Sequence, residues 1–292
     1  VTSAPASPPA LEPSRPRLFV AEIVGTAEFD PVRRSVSLHT DEVVFPRPGQ
    51  FLHAAFADDP AETPWSAPWM LRRPLTPVQV SAEPSGGVRF ELVIGPTDPF
   101  HRRLMSAPAG TRISLMGPLG MGFPEIPADI PVLLVAEAAF AHRLWHAARL
   151  LTESGHFPVW LLDAGPDDLP GLPGPVRRTD EFLRTDEFRR TDPAARLTAL
   201  LDRELDSRPG DRPAVLAAGS PAVLRAVSAA AAARGLFERV WLERPVPCAT
   251  GACQGCVVPM RHIGPGRPRY RLCCTEGPVF DGSSIDWEQL PP

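Results

Sequence analysis

The stretch "VPCATGACQGCVVPM", Val246 to Met260, places three cysteines within nine residues, and a Cys pair follows 17 residues on. The spacing is Cys248-x4-Cys253-x2-Cys256-x17-Cys274, with Cys273 beside the last. Few sequence features constrain a chain more, because four thiolates that share one centre dictate the path of the backbone around it. A C-x4-C-x2-C…C run is the plant-type 2Fe–2S spacing, two thiolates to each iron. Such a loop must turn backbone N–H groups inward toward sulfur, and Ala249, Gly251, Ala252 and Gly255 are small enough to allow it. A zinc site would show two C-x2-C knuckles, and here the second half is a vicinal pair. A catalytic cysteine wants a histidine partner and needs no group of four. In an extended segment neighbouring side chains face opposite ways, so only one of Cys273 and Cys274 can point at a cluster, and the spacing does not choose between them.

All five cysteines of the chain lie in this region, and an odd count fits poorly with a disulfide framework. The 292 residues have room for two domains and a small third module. A net charge of −4 provides no basic patch for nucleic acid and no polybasic anchor for a membrane. There is no lysine, which rules out any mechanism built on a catalytic lysine. The start, "VTSAPASPPALEPSRP", lacks the basic and apolar regions of a secretory signal and reads as a disordered tail over 1–16. The longest apolar run, "PVLLVAEAAFA", is too short to span a bilayer and contains Glu137. The expectation is a cytoplasmic protein with reduced thiols.

From Arg17 to about Phe123 six short Val/Ile/Leu/Phe-rich runs are bounded by Pro, Gly or Asp, the pattern of a small antiparallel barrel. "DPFHRRLMSAP" is its one helical candidate. From Pro131 strands alternate with helices. "PVLLVA", "FPVWLLDAG", "PAVLAAG" and "RVWLE" read as strands. The helices between them include one capped by Asp192 with Pro193 at its first position, and one ending at Gly155. This alternation implies a parallel, doubly wound sheet. "RRTDEFLRTDEFRRTD", Arg177 to Asp192, reads as a short duplication in a surface loop. His142 and His146, one helical turn apart, read as helix surface or partner contacts, and the six scattered tryptophans as packing.

"PCATGACQGCVV" followed by "RLCCTEGPVF" resembles the C-terminal module of the dihydroorotate dehydrogenase electron transfer subunit family. In that family the last ligand precedes two residues and then Gly-Pro-Val-Phe, so the resemblance implies Cys248, Cys253, Cys256 and Cys274 as ligands of a 2Fe–2S cluster. "LRRPLTP" resembles the Arg-Pro-x-Ser/Thr flavin motif of ferredoxin-reductase-like barrels, "GPLGMGF" the family's Gly-Pro-Leu-Gly-x-Gly-Phe, and "VIGPT" its Gly-x-Gly-Thr turn with one residue missing. The resemblance implies FAD contacts at Arg73, Pro74, Leu75, Thr76, Leu92, Gly95, Thr97, Gly117, Gly120 and Gly122. The chemistry agrees. A flavin pyrophosphate needs a fixed, forked cation such as Arg73, Pro74 fixes the turn that aims it, and Thr76 offers a hydroxyl.

The implied layout is a multi-domain α/β and β protein. An FAD-binding β-barrel spans 17–125, a Rossmann-like α/β domain 126–243 and a 2Fe–2S module 244–292. The implied partner is an FMN-containing dihydroorotate dehydrogenase catalytic subunit, in pyrimidine biosynthesis. Electrons would run from that FMN to the cluster, to FAD, and on to NAD or another acceptor. Two alternatives are a reductase component for a different oxidoreductase and a regulatory subunit that has lost redox function.

The nicotinamide half departs from the family. The first α/β turn, "VAEAAFAHRL", has no glycine, and Glu137 puts negative charge where phosphates sit. The later Cys-Gly-Pro turn is "AAGSP", with Ala218 in the Cys position, and the Arg-Thr-Asp repeat replaces the expected Thr-Asp-Asp-Gly-like segment. Lost NAD binding is therefore favoured over weak binding through altered contacts. Ala249 stands where the family has Gly. If the site needs positive φ, Ala costs about 1 kcal/mol there.

Overall fold

The computed structural model describes residues 15–58, 71–163, 172, 174–179, 192–261 and 270–290. The first half forms β1 (Arg17–Glu28), β2 (Arg34–Thr40), β3 (Phe51–Phe56), β4 (Arg73–Leu75), β5 (Gln79–Ala82), β6 (Val88–Ile94) and β7 (Arg112–Leu119). They make one antiparallel sheet in the order β4-β3-β7-β1-β2-β6-β5. Alternation places Phe19, Val36, Leu38, Leu52, Phe90 and Leu115 in a common core. The run "PLTPVQV" splits into β4 and β5, giving seven strands rather than six, since Pro77 has no N–H to donate to a ladder. Helix α1 (Pro99–Ser106) is capped by Asp98, whose carboxylate accepts from the His101 N–H at 2.9 Å, and it inserts Phe100 and Leu104 into that core.

The second half is a doubly wound sheet. Strands β8 (Val132–Glu137), β9 (Val159–Asp163), β10 (Val176–Arg178), β11 (Ala214–Ala218) and β12 (Glu238–Trp241) are parallel, in the order β10-β9-β8-β11-β12. Helix α2 (His142–Glu153) packs Leu144, Ala147 and Ala148 against one face. Helices α3 (Pro193–Asp206) and α4 (Pro221–Ala233) cover the other face with Leu197, Leu201, Leu224 and Val227. Asp192 caps α3, accepting from the Ala195 N–H at 3.0 Å.

Two expectations need correction. His142 and His146 do not lie on the helix surface: both are buried, and burial holds them below the usual histidine range, His146 at about 4. Helix α2 turns that face inward, so the two imidazoles are neutral packing groups. The Arg-Thr-Asp repeat does not begin as a loop, because Arg177 and Arg178 lie in β10. Residues 180–191 of the repeat, like Trp65 and Trp69, lie outside the described residues. Trp160, Trp241 and Trp287 are buried, in keeping with a packing role.

The C-terminal module has little core of its own. Strands β13 (Val257–Pro259) and β14 (Tyr270–Leu272) pair antiparallel, the single turn α5 (Cys273–Glu276) follows, and β15 (Val279–Phe280) joins the α/β sheet antiparallel to β12. Ala249, Cys256, Val258, Met260, Ile285 and Trp287 share one core with α3, α4 and the sheet. A buried clamp secures the last segment. Glu238 accepts from the Ser228 hydroxyl and from the Gly282 N–H, and a Cβ on Gly282 would collide with both side chains.

Burial raises the Glu238 pKa to about 7, with the Asp281 charge adding to it while the Ser228 and Gly282 hydrogen bonds and Arg239 oppose. A raised folded-state pKa gives stability that is present below the ordinary value of 4.5 and is lost as pH rises through about 7. Denaturant unfolding should therefore show stability falling across that window by up to about 3 kcal/mol. Glu238→Gln, which can accept from Gly282 and donate to Ser228, should remove that slope. Gly282→Ala should cost about 1–3 kcal/mol at any pH by overpacking.

Candidate functional site: the cysteine loop and the flavin strand

The cysteine loop turns through residues in the left-handed region: Ala249 at φ 60°, Gly251 at 82° and Gln254 at 54°. These turns aim backbone N–H groups at sulfur. The Cys253 N–H points to Cys248 Sγ, the Gly255 N–H to Cys253 Sγ and the Cys274 N–H to Cys256 Sγ, each at 3.4 Å. Two of these contacts link the cysteines in pairs, Cys248 with Cys253 and Cys256 with Cys274. Among the described residues, no three His, Cys, Asp or Glu side chains converge as a single ion would require. Two pairs suit a binuclear centre with two thiolates per iron.

The vicinal cysteines part company. Cys273 is buried and donates to the Leu242 carbonyl at 3.5 Å, and burial raises its pKa strongly. Cys274 faces Cys256, its pKa raised to about 12 by burial and by that neighbour. Cys248 goes the other way: N–H groups of Cys253 and Thr250 lower it to about 6. Cys253 is exposed and Cys248 half-buried, while Cys256 and Cys274 are inside. The loop thus has one edge toward solvent and one toward the protein.

Strand β4 lies on the barrel side. Arg73 Nε donates to Asp98, and Arg73 Nη1 donates to the Leu71 carbonyl at 3.0 Å. Burial of Asp98 is outweighed by hydrogen bonds from the His101 N–H, Arg73 and the His101 ring, which hold its pKa at about 2. Arg73 and the 95–98 turn are therefore brought together, although 25 residues separate Arg73 from Asp98. Asp98 was not singled out in the sequence, and its signal was the Asp-Pro helix start. Thr76 is buried. Thr97 is exposed and its N–H closes a tight turn onto the Gly95 carbonyl at 2.9 Å. Strand alternation buries the Leu92 side chain in the barrel core.

The glycines of "GPLGMGF" make close approaches to the chain itself. A Cβ on Gly117 would lie 2.6 Å from Leu52 Cδ2, and one on Gly122 2.6 Å from the Pro48 carbonyl. Gly120, at φ 73°, backs onto the Gly277 carbonyl, and the next residue, Met121, donates its N–H to that same carbonyl. This contact seats the barrel beside Cys274. A second one runs through His53, which pairs with Pro74 in the β3–β4 ladder and whose Nε2 lies 3.1 Å from the Val246 carbonyl. His53 was also missed in the sequence, where a lone His within an apolar strand carries no signal. Strand β3, the ladder neighbour of β4, is thereby joined to the start of the cysteine loop by one side chain.

Residues 243–286 match the family profile described as the iron–sulfur cluster binding domain of dihydroorotate dehydrogenase B. That match spans the C-terminal module, the cysteine loop included. Relatives extend the likeness beyond it. The electron transfer subunit of dihydroorotate dehydrogenase B (NAD(+)) from Shouchella clausii is 26% identical over 238 residues, 80% of this chain and 84% of that protein. The subunit of the same name from Geobacillus kaustophilus is 27% identical over 82% of this chain and 86% of its own. An NADH-dependent reduced ferredoxin-NADP oxidoreductase superposes with a TM-score of 0.70 at 22% identity, over 92% of this chain and 91% of that one. A ferredoxin reductase of carbazole 1,9a-dioxygenase gives 0.54 at 21%, over 78% and 68%. The fold is that of the ferredoxin reductases.

The positive φ angles give a stability prediction. Gln254 is exposed, so Gln254→Gly should relieve backbone strain and raise stability by about 1 kcal/mol in denaturant titration. At buried Ala249 the same relief is offset by the loss of a packed methyl worth about 0.8 kcal/mol, and Ala249→Gly should be close to neutral.

Proposed function

We propose that this chain is the electron transfer subunit of a dihydroorotate-oxidising complex, holding a 2Fe–2S cluster and FAD. The observation that carries the reading is the sorting of four thiols into two pairs by a loop whose N–H groups point at sulfur. When bound, the two groups supply the electron-carrying chemistry, and the protein's part is placement and electrostatics.

Cys248, Cys253, Cys256 and Cys274 would hold the cluster, with the inward N–H groups offsetting thiolate charge. Arg73, oriented by Asp98, would pair with the flavin pyrophosphate, with Thr76 and the Gly95–Thr97 turn close by. His53 and the Gly120–Gly277 contact hold the two sites at a fixed separation. The solvent-facing Cys253 edge is the face offered to a partner, which in this reading is an FMN-containing catalytic subunit in the cytoplasm. No helix among the described residues is long and apolar enough to cross a membrane.

Anaerobically purified protein should show a flavin band with iron–sulfur shoulders. Cys253→Ser and Cys274→Ser should lose the iron–sulfur absorption and at least about 100-fold of partner-dependent dihydroorotate oxidation, a scale of about 2.7 kcal/mol. Cys273→Ser should keep the cluster. A spectrum lost in Cys273→Ser but kept in Cys274→Ser would overturn the ligand set. Arg73→Ala should release FAD on gel filtration and leave the iron content unchanged.

A further inference from the structure

The sheet order β10-β9-β8-β11-β12 places a topological switch point between β8 and β11, where a dinucleotide sits in folds of this type. Its pyrophosphate needs bare backbone N–H groups at a helix start, and its ribose needs a free acidic side chain at the end of the second strand.

In this chain both places are occupied from within. Glu137, at the end of β8, accepts a short hydrogen bond from the Ser220 N–H, the cap of α4. A Cβ on Gly219 would lie 2.9 Å from the same Glu137 oxygen, so the carboxylate rests directly on the β11–α4 turn. The β8–α2 turn is closed as well: the Phe140 and Ala141 N–H groups bond the Glu137 carbonyl at 2.9 and 3.0 Å, and the Ala138 N–H bonds the Asp163 carbonyl. Asp163, ending β9 where a ribose-binding acid would stand, is held by Arg196 through two bonds of 2.7 and 2.6 Å and by the Thr179 hydroxyl at 2.8 Å.

We infer that Glu137 is a built-in plug of the nicotinamide seat, an internal anion in the place of the dinucleotide phosphate, and that this α/β domain does not take NAD. Asp163, Arg196 and Thr179 lock the ribose side of the same crevice. The residues present do not fit the dinucleotide, and the domain acts as the scaffold on which the cysteine loop is built. The inference goes beyond the electron-transfer reading and does not need it, because nicotinamide binding can be read without turnover.

The test is a titration of the full-length protein with NADH, followed by energy transfer from tryptophan to the reduced nicotinamide. Trp160 and Trp241 sit in this sheet as donors. Wild type should not saturate. Glu137→Ala, which empties the seat, should gain saturable NADH binding and at least about tenfold in affinity for inorganic pyrophosphate. Glu137→Gln keeps an acceptor for the Ser220 N–H and should stay closed. Saturable binding by the wild type, or no gain in Glu137→Ala despite an unchanged circular dichroism spectrum, would sink the inference. So would a Gln variant that binds as tightly as the Ala variant. Flavin and cluster absorption, recorded on the same samples, reports separately on the electron-transfer reading.

Discussion

The cysteine loop has to be held by structure outside itself. Its N–H groups point at sulfur rather than at a ladder, several of its residues are in the left-handed region, and its two flanking strands are three residues each. The holding force is burial against the α/β domain, where Ala249, Cys256, Val258 and Ile285 enter the core under α3 and α4. The β12–β15 ladder and the Glu238–Gly282 clamp fix the register of that contact. The module is therefore an outgrowth of the sheet more than a separate domain.

The same dependence explains how the barrel is placed. Gly120 meets Gly277 backbone to backbone, Trp241 donates to the Gly49 carbonyl at 3.1 Å, and His53 reaches Val246 from the outer face of β3. Each contact joins residues far apart in the chain, and each ties the barrel to the α/β sheet or to the C-terminal segment. Burial lowers the His53 pKa to about 4, so this link stays neutral across the physiological range. Contacts this short fix the barrel against the C-terminal module, which is what the proposed electron transfer asks of the protein.

The α/β domain shows a fold kept while its usual ligand seat is filled. A parallel sheet still has helix starts and strand ends gathered at its switch point, and their polar groups must be satisfied with or without a ligand. Glu137 and Asp163 do this with Ser220, Arg196 and Thr179. Arg73 with Asp98 is a parallel case on the barrel side, where an internal carboxylate orients a cation instead of closing a seat.

Much of this was legible in the sequence because it is periodic or local. The strand alternation, the Asp192-Pro193 helix start and the glycine-free turn after β8 can be read residue by residue. The cysteine spacing limited the centre to a four-thiolate loop. Other features were invisible because they depend on partners distant in the chain. The choice of Cys274 over Cys273 was implied only by resemblance, whereas the packing separates the two: one sulfur turns to the Leu242 carbonyl and the other to Cys256. The burial of His142 and His146 follows from which face of α2 meets the sheet. The roles of Asp98 and His53 exist only once β4, α1 and the cysteine loop are side by side. The sequence by itself determined the elements and the set of candidate thiols, since these follow from local sterics and spacing. Tertiary structure alone decided which polar groups spend their hydrogen bonds on one another and which remain for a cofactor.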